Sequence, residues 1–205
     1  RADLVLWHGL YLEAQMEEFL LKLRHNRPVI AVAEALPPGQ LRGNEDYDNR
    51  FDPHVWMDPA LWGLVVQEIA RALSTTLPGL APQIAAALPA YQTEIAALDS
   101  YSREVLASVP PESRILVSAH DAFGYFGRAY DFEVQGIQGL STNSEAGLSR
   151  IAALVDLLVA RQVPAVFVET SVSDRAVRAL IEGAAAKGHS LRIGGTLYSD
   201  AMGPE

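Results

Sequence analysis

Three polar residues stand where a parallel α/β fold would place a binding site. His120 ends the apolar run 115–119, His54 comes just before a capped helix, and Asp200 follows the last predicted strand. Ligands of open parallel sheets bind beyond the carboxyl ends of the strands. Imidazole nitrogen and carboxylate oxygen together suit zinc, manganese or iron. These residues could therefore form a metal site that only the folded chain assembles.

Each of the three residues also has a simpler explanation. A histidine at the end of a strand is commonly a hydrogen-bonded structural residue, and an aspartate in a loop often forms a turn. Long stretches of chain separate His54, His120 and Asp200, so there is no local metal-binding motif. Residue types and spacing leave the metal site and the structural roles open.

Composition narrows the possible chemistry. The 205 residues are 49% hydrophobic, which is enough for one large domain or two smaller lobes. There is no cysteine, which excludes thiolate ligands, disulfides and cysteine nucleophiles. The formal net charge of -9 and the scattered basic residues predict no nucleic-acid partner. An acidic balance suits cation capture, although it also simply keeps a protein in solution.

Apolar patterns alternate between strand and helix along the chain and predict two parallel α/β lobes. The first lobe, 1–80, has strands at 4–7 and 29–32, a helix at 11–23 and an exposed loop at 42–49. Its second helix runs to about residue 73, with Asp58 as the N-cap and Pro59 at the first helical position. A long helix within 81–109, broken early by Pro89, joins the first lobe to the second lobe, 110–205. That lobe has strands at 115–118, 133–137, 165–168 and 191–193, with helices at 122–129, 144–160 and 174–186.

Three segments carry a resemblance to a known family. They read DPHVWMDP at 52–59, SAHDAFGYF at 118–126 and YSDAMG at 198–203, and shorter matches are ADLVL (2–6), GLYLE (9–13), GLST (139–142) and FVETS (167–171). Because these segments occur in this order along the chain, it resembles the zinc- and manganese-binding solute-binding proteins of bacterial metal ABC importers, the cluster A-I type family. The likeness covers nearly the whole chain.

The resemblance implies a fold, a ligand set and partners. The fold is two α/β lobes joined by one long helix, with a metal cleft between the lobes. His54, His120 and Asp200 match family ligands, and the bound solute would be Zn²⁺ or Mn²⁺. The implied partner is an ABC importer permease, and the full-length protein would be a monomer, periplasmic or lipid-anchored to the outer face of the bacterial membrane.

The chain also departs from the family pattern. The family's first histidine lies upstream of the segment at 2–6, and a closing segment follows the one at 198–203, so we expect a piece truncated at the N-terminus and at the C-terminus. Such a piece would bind metal with markedly lower affinity, and we expect its structure to show either no ordered metal or one completed by solvent or a neighbouring molecule. His8, at a strand end where the family usually has asparagine, could serve as a ligand, but we expect it rather to support a ligand without binding the metal or to line the cleft.

Glu169 ends a buried strand, where an unpaired carboxylate would be costly. It could accept a hydrogen bond from a ligand histidine and fix its tautomer, or it could pair with Arg175 or Arg178. Two other functions stay open, a surface adhesin or lipoprotein with a structural metal, and a His/Asp metal-dependent hydrolase. No nucleophile elbow, phosphate loop or dinucleotide fingerprint supports an enzyme, and we predict none.

Overall fold

The structure is a computed structural model that describes residues 2–43, 50–142 and 146–203. Strands and helices alternate along these residues. Contacts divide the chain into two units, Arg1–Leu106 and Ala107–Glu205. Each unit contains parallel strands and helices. The predicted α/β class with parallel strands is confirmed. The partition into lobes 1–80 and 110–205 with a linker at 81–109 stays a prediction.

The first unit is built on two short parallel strands. Strand β1, Val5–Trp7, pairs with β2, Val29–Ala31, and helix α1, Glu17–Leu23, connects them. Trp7, Leu20 and Val29 form a buried cluster that fixes α1 against the strands. A 3₁₀ turn, Val32–Ala35, follows β2 where the sequence predicts that the strand continues to residue 32.

Helix α1 starts six residues later than its apolar spacing predicts. Gly9, Leu10 and Tyr11 have φ angles of +83°, +52° and +70°, so the chain is left-handed where the helix was expected to begin. A right-handed helix cannot include such residues. The prediction of a helix from residue 11 is wrong for this reason.

The predicted N-cap of the next helix is confirmed. Helix α2, Pro59–Thr76, begins after Asp58, whose Oδ1 accepts from the backbone N–H groups of Ala60 at 3.0 Å and Leu61 at 3.4 Å. Pro59 occupies the first helical position, where no N–H is needed. This capped end fixes the loop that precedes it.

Helix α3 runs from Ala81 to Ala107 without a break at Pro89. Proline removes one helical hydrogen bond, here the one to the carbonyl of Ala85. Both residues are exposed, so solvent can satisfy that carbonyl. The prediction that Pro89 breaks the helix is therefore wrong, whereas the single long helix is present.

The second unit contains two parallel strand pairs. Strand β3, Ile115–His120, pairs with β4, Glu133–Gln138, and β5, Ala165–Glu169, pairs with β6, Arg192–Leu197. Helices α4, Gly124–Tyr130, α5, Leu148–Ala160, and α6, Arg175–Ala186, connect them. Strand β3 also packs against β5. The largest buried apolar cluster comes from β3, β4, β5, α5 and α6, including Val117, Ile137, Leu158, Val166 and Leu180.

Strand β6 extends further than predicted, through Gly194 and Gly195 to Leu197. The pairing shifts between Val166 and Phe167, and a Cβ on Gly194 would lie 3.0 Å from the Phe167 ring. Glycine allows that close approach in a bulged strand. Residues 198–200 consequently follow directly on a paired strand.

Two predicted segments fall partly outside the described residues. Of the predicted exposed loop at 42–49, only residues 42 and 43 are described. The helix predicted from residue 144 has its first two residues, 144 and 145, outside the described residues. No helix among the described residues is both long and apolar enough to span a membrane.

Candidate metal centre

His54 lies in the loop before α2, in the first unit, and its side chain is 1% exposed. Asp52 Oδ1 accepts from the His54 backbone N–H at 2.9 Å and from ring Nδ1 at 2.7 Å. Because the carboxylate oxygen is the acceptor, Nδ1 carries a hydrogen. A neutral His54 therefore presents Nε2 with a lone pair, the form in which imidazole binds a metal.

The segment around His54 is held on both sides. Asp52 donates its backbone N–H to the Arg42 carbonyl at 2.9 Å, and Arg42 Nε lies 3.6 Å from Asp52 Oδ2. After His54 the chain enters a 3₁₀ turn, Val55–Met57, and then the Asp58 cap of α2. The loop is thus ordered by a local carboxylate and by a helix start.

His8 meets this loop from β1. Its Nε2–H donates to the Pro53 carbonyl at 2.7 Å, and its ring lies edge-on to Trp56 with centroids 5.1 Å apart. Burial lowers the pKa of His8, against the opposing effects of the Pro53 carbonyl and Glu13. His8 thus contacts the residue before His54 through Nε2, which cannot bind a metal while it donates this hydrogen; in the neutral ring only Nδ1 keeps a lone pair.

His120 ends β3 in the second unit, and its side chain is 0% exposed. Glu169, at the end of β5, contacts it twice, with Oε1 accepting from the His120 backbone N–H at 2.9 Å and Oε2 lying 2.6 Å from Nδ1. On the other side of the ring, Nε2 lies 3.0 Å from Asp200 Oδ2. The imidazole is therefore placed between two carboxylates.

The two carboxylates control the charge of His120. Burial alone would lower the pKa of this imidazole, but the Asp200 and Glu169 carboxylates beside its two nitrogens outweigh burial and raise its pKa to about 9. Burial pushes the pKa of Glu169 upward, yet the His120 contact prevails and lowers it. A pKa raised above neutrality favours the imidazolium form of His120 between the two carboxylates when no metal is bound.

Glu169 has further partners on the β6 side. Ser199 Oγ donates to Glu169 Oε2, and Ser171 Oγ lies 3.0 Å from Ser199 Oγ. Arg178 pairs with Asp174 at 2.6 Å instead. Of the two interpretations of Glu169, the structure supports the one in which it orients a histidine.

The structure brings His120 and Asp200 together in the second unit, and it places His54 in the first unit on a carboxylate of its own. Sequence reasoning missed Asp52 and Ser199. The two-residue spacing in Asp52-Pro53-His54 was a usable signal, because an aspartate commonly bonds the backbone two residues on. Ser199 gave no signal of its own.

A buried histidine with Nδ1 held by a carboxylate occurs in both units, as in proteins that bind transition metals. The family model described as zinc-uptake complex component A, periplasmic (ZnuA), matches residues 1–205, and the chain belongs to this family. The family is described as a component of a zinc-uptake complex, and membership in it therefore argues against the metal-dependent hydrolase.

Relatives agree on metal binding and differ in the metal named. The chain is 47% identical over 202 residues to the manganese-binding lipoprotein MntA of Bacillus subtilis (strain 168), covering 98% of this chain and 66% of the relative. It is 46% identical to the zinc-binding protein TroA of Treponema pallidum (strain Nichols), with 98% and 65% covered. Both matches span just under two thirds of the relative's length.

Solved structures show the same fold. The periplasmic zinc-binding protein TroA from Treponema pallidum superposes with a TM-score of 0.95 at 45% identity, covering 99% of this chain and 73% of that chain. Fe(III)-bound YtgA from Chlamydia trachomatis gives a TM-score of 0.88 at 25% identity, with 100% and 75% covered. The α/β fold assignment therefore agrees with experimental structures of metal-binding proteins.

Proposed function

We propose that the protein captures a divalent transition-metal ion, zinc or manganese, and delivers it to the permease of an ABC importer. The observation that carries this proposal is the 3.0 Å separation of His120 Nε2 and Asp200 Oδ2. Two donor atoms that share one ion at ~2.0–2.2 Å are themselves ~3–3.5 Å apart, depending on the angle at the ion. Loss of the Nε2 proton would thus leave two donors at a spacing that suits one ion.

The proposed ligands are His54, His120 and Asp200. Both histidines have Nδ1 engaged by a carboxylate, Asp52 for one and Glu169 for the other. Such a carboxylate fixes the tautomer with Nε2 free of hydrogen and makes the imidazole a stronger ligand. The fact that a carboxylate orients Nδ1 of both His54 and His120 supports the proposal that both bind the same ion.

Zinc and manganese are both proposed as the transported solute. Two imidazoles and a carboxylate form a donor set that suits several divalent first-row metals. The relatives' names include manganese-binding and zinc-binding proteins. His120, a nitrogen donor where some manganese binders of the family carry glutamate, inclines the proposal slightly to zinc or a mixed preference.

The proposed partners follow from the family. A relative from Streptococcus cristatus is named a metal ABC transporter substrate-binding lipoprotein. We propose the permease of such a transporter as the protein partner, and a location in the periplasm or at a lipid anchor on the outer membrane face. The full-length protein would act as a monomer, without nucleic acid. An adhesin whose metal is structural is the competing function.

Two measurements test this function together. In chelator competition, the chain should bind one zinc or manganese ion reversibly. In the source bacterium, deleting the gene should abolish uptake of that radioactive metal under scarcity, and restoring the gene should recover it. Metal binding with unchanged uptake would favour the adhesin, and absence of binding would reject the function.

A further inference from the structure

We propose that His8 is a positioning residue for the ligand His54, holding the Pro53 carbonyl and through it the loop 52–56, without binding the ion itself. This inference rests on the proposed function and deepens it. Its basis is a set of contacts within the first unit that joins β1, the turn after it and the loop before α2.

The contact between His8 and Pro53 has a defined direction. The Pro53 carbonyl can only accept, so His8 Nε2, 2.7 Å away, must carry the hydrogen. The same carbonyl also accepts from the Val55 backbone N–H at 2.7 Å. The donating Nε2 has no lone pair for a metal, so in the neutral ring only Nδ1 could bind one, and the variants below test that alternative. The Pro53 peptide is thus fixed immediately before His54.

The backbone of His8 is itself anchored, so the ring has a firm base. Its N–H donates to Glu13 Oε1 at 2.7 Å, and its carbonyl accepts from Ala33 N–H at 2.9 Å. Glu13 Oε2 accepts from the N–H of Gly9 at 3.1 Å. One carboxylate therefore holds the start of the turn that follows β1.

That turn is strained, which points to a role. Leu10 and Tyr11 adopt left-handed φ angles without being glycine, a conformation that costs about 1 kcal/mol or more each. A Cβ on Gly9 would lie 2.8 Å from the Ala31 Cβ, so the turn is pressed against β2. Strained backbone of this kind persists where surrounding contacts hold it, and it clusters at functional sites.

The turn reaches the loop at a second point. The Arg50 guanidinium lies over the Tyr11 ring, 4.2 Å from its centroid, and 3.8 Å from Glu17 Oε1. Trp56 lies edge-on to both His8 and His54, with centroid distances of 5.1 and 5.2 Å. The Tyr11 ring thus contacts Arg50, which precedes the loop 52–56. The His8 ring contacts Pro53 and Trp56 within that loop.

The variants His8→Gln and His8→Leu separate positioning from ligation. Glutamine keeps an N–H donor near the place of Nε2 but is a poor metal ligand, whereas leucine keeps bulk and removes the donor. Zinc affinity is measured by chelator competition, and geometry by the absorption spectrum of the cobalt-substituted protein. His25→Leu is the control, because His25 is exposed and its Nδ1 lies 3.0 Å from the carbonyl of Lys22 on its own segment.

We expect His8→Leu to weaken zinc binding about 10-fold or more, the size of effect typical of residues that orient ligands. His8→Gln should retain most of the affinity and the cobalt spectrum of the unchanged protein, and His25→Leu should do the same. Glu13→Gln, which weakens the anchor of His8 without touching the ring, should produce a smaller loss. If His8→Leu fails to fold, Glu13→Gln is used instead to test whether the anchoring of His8 affects zinc affinity.

Equal, large losses in His8→Gln and His8→Leu, with an altered cobalt spectrum in both, would show that His8 is a ligand and would overturn the inference. Full affinity in His8→Leu, or in Glu13→Gln where the leucine variant does not fold, would overturn it as well. In each of these outcomes the unchanged chain still binds metal, so the proposed function survives. Absence of binding by the unchanged chain would overturn both.

Discussion

The two buried histidines are prepared for metal in different ways. His54 takes its carboxylate partner from two residues earlier in the same loop, and its neighbour Pro53 is held by His8. His120 takes Glu169 from another strand, and Asp200 faces its second nitrogen. One histidine is oriented locally and the other by residues far away in sequence. The comparison separates a candidate ligand that its own loop orients from a candidate ligand that distant parts of its unit orient.

The difference also affects protons. Carboxylates on both ring nitrogens raise the pKa of His120 to about 9, so a metal must displace a firmly held proton there. Metal binding should consequently weaken as pH falls, and the dependence should already be present above the usual histidine range near ~6.5. A metal affinity that stays constant from about pH 9 down through ~6.5 would contradict the assignment of His120 as a ligand.

The largest effect should come from removing a histidine. We expect His120→Ala to reduce zinc affinity by more than ~100-fold, because losing a ligand should cost more than losing a group that orients one. His54→Ala should show a comparable loss if both are ligands. Chelator competition measures both, with exposed His25→Ala as the control. Unchanged affinity in either variant would remove that histidine from the site.

The stability of the metal-free chain should depend on the charge of His120. Its pKa in the folded chain, about 9, lies above the unfolded value of 6.5, so the stabilisation is complete below about pH 6.5 and is lost as pH rises through 9. The full loss would be up to about 3 kcal/mol. Denaturant unfolding between these limits measures it, and His120→Gln is the control that should lack the dependence. Equal stability at both limits would refute the raised pKa.

Changes at the two carboxylate partners sharpen the comparison. Asp52→Asn and Glu169→Gln should each weaken zinc binding about 10–100-fold, since each removes the acceptor charge that holds Nδ1. Glu169→Gln should have the larger effect, because Glu169 accepts from Ser199 in addition to the backbone and ring contacts that both carboxylates make with their histidines. Titrations of the two variants side by side decide it. A larger loss in Asp52→Asn would reverse the comparison.

The smallest effect should come from the helix cap behind His54. Asp58→Ala should reduce the free energy of unfolding by about 1 kcal/mol and leave zinc affinity nearly unchanged, because the cap stabilises α2 rather than the imidazole. Asp99→Ala, which removes a surface pair with Arg103, is the matched control and should cost less. A large affinity loss in Asp58→Ala would mean that the cap also orients His54.

Local rules predicted part of this molecule. The Asp58-Pro59 helix start and the placement of His120 at a strand end follow from residue type and neighbours alone, and the structure has both. The start of α1 did not follow, because the left-handed backbone begins at Gly9, whose N–H is held by Glu13 and which lies against Ala31 of β2. The extension of β6 through Gly194 depends likewise on the Phe167 ring beside it.

The candidate site divides in the same way. Asp52 could have been assigned to His54 from their two-residue spacing, whereas Glu169 left two interpretations until its contact with His120 was seen. The raised pKa of His120 arises from groups that only the folded second unit brings together. Sequence patterns therefore indicated candidate ligands, and the fold supplied the contacts that set the protonation and orientation of these side chains.

Crystals of the zinc-loaded protein, with anomalous data at the zinc edge, test the central claim most directly. We predict one ion bonded at ~2.0–2.2 Å to His54 Nε2, His120 Nε2 and a carboxylate oxygen of Asp200, with His8 still donating to Pro53. An ion held elsewhere, an ion that lacks one of these three ligands, or an ion bonded to His8 would contradict the account.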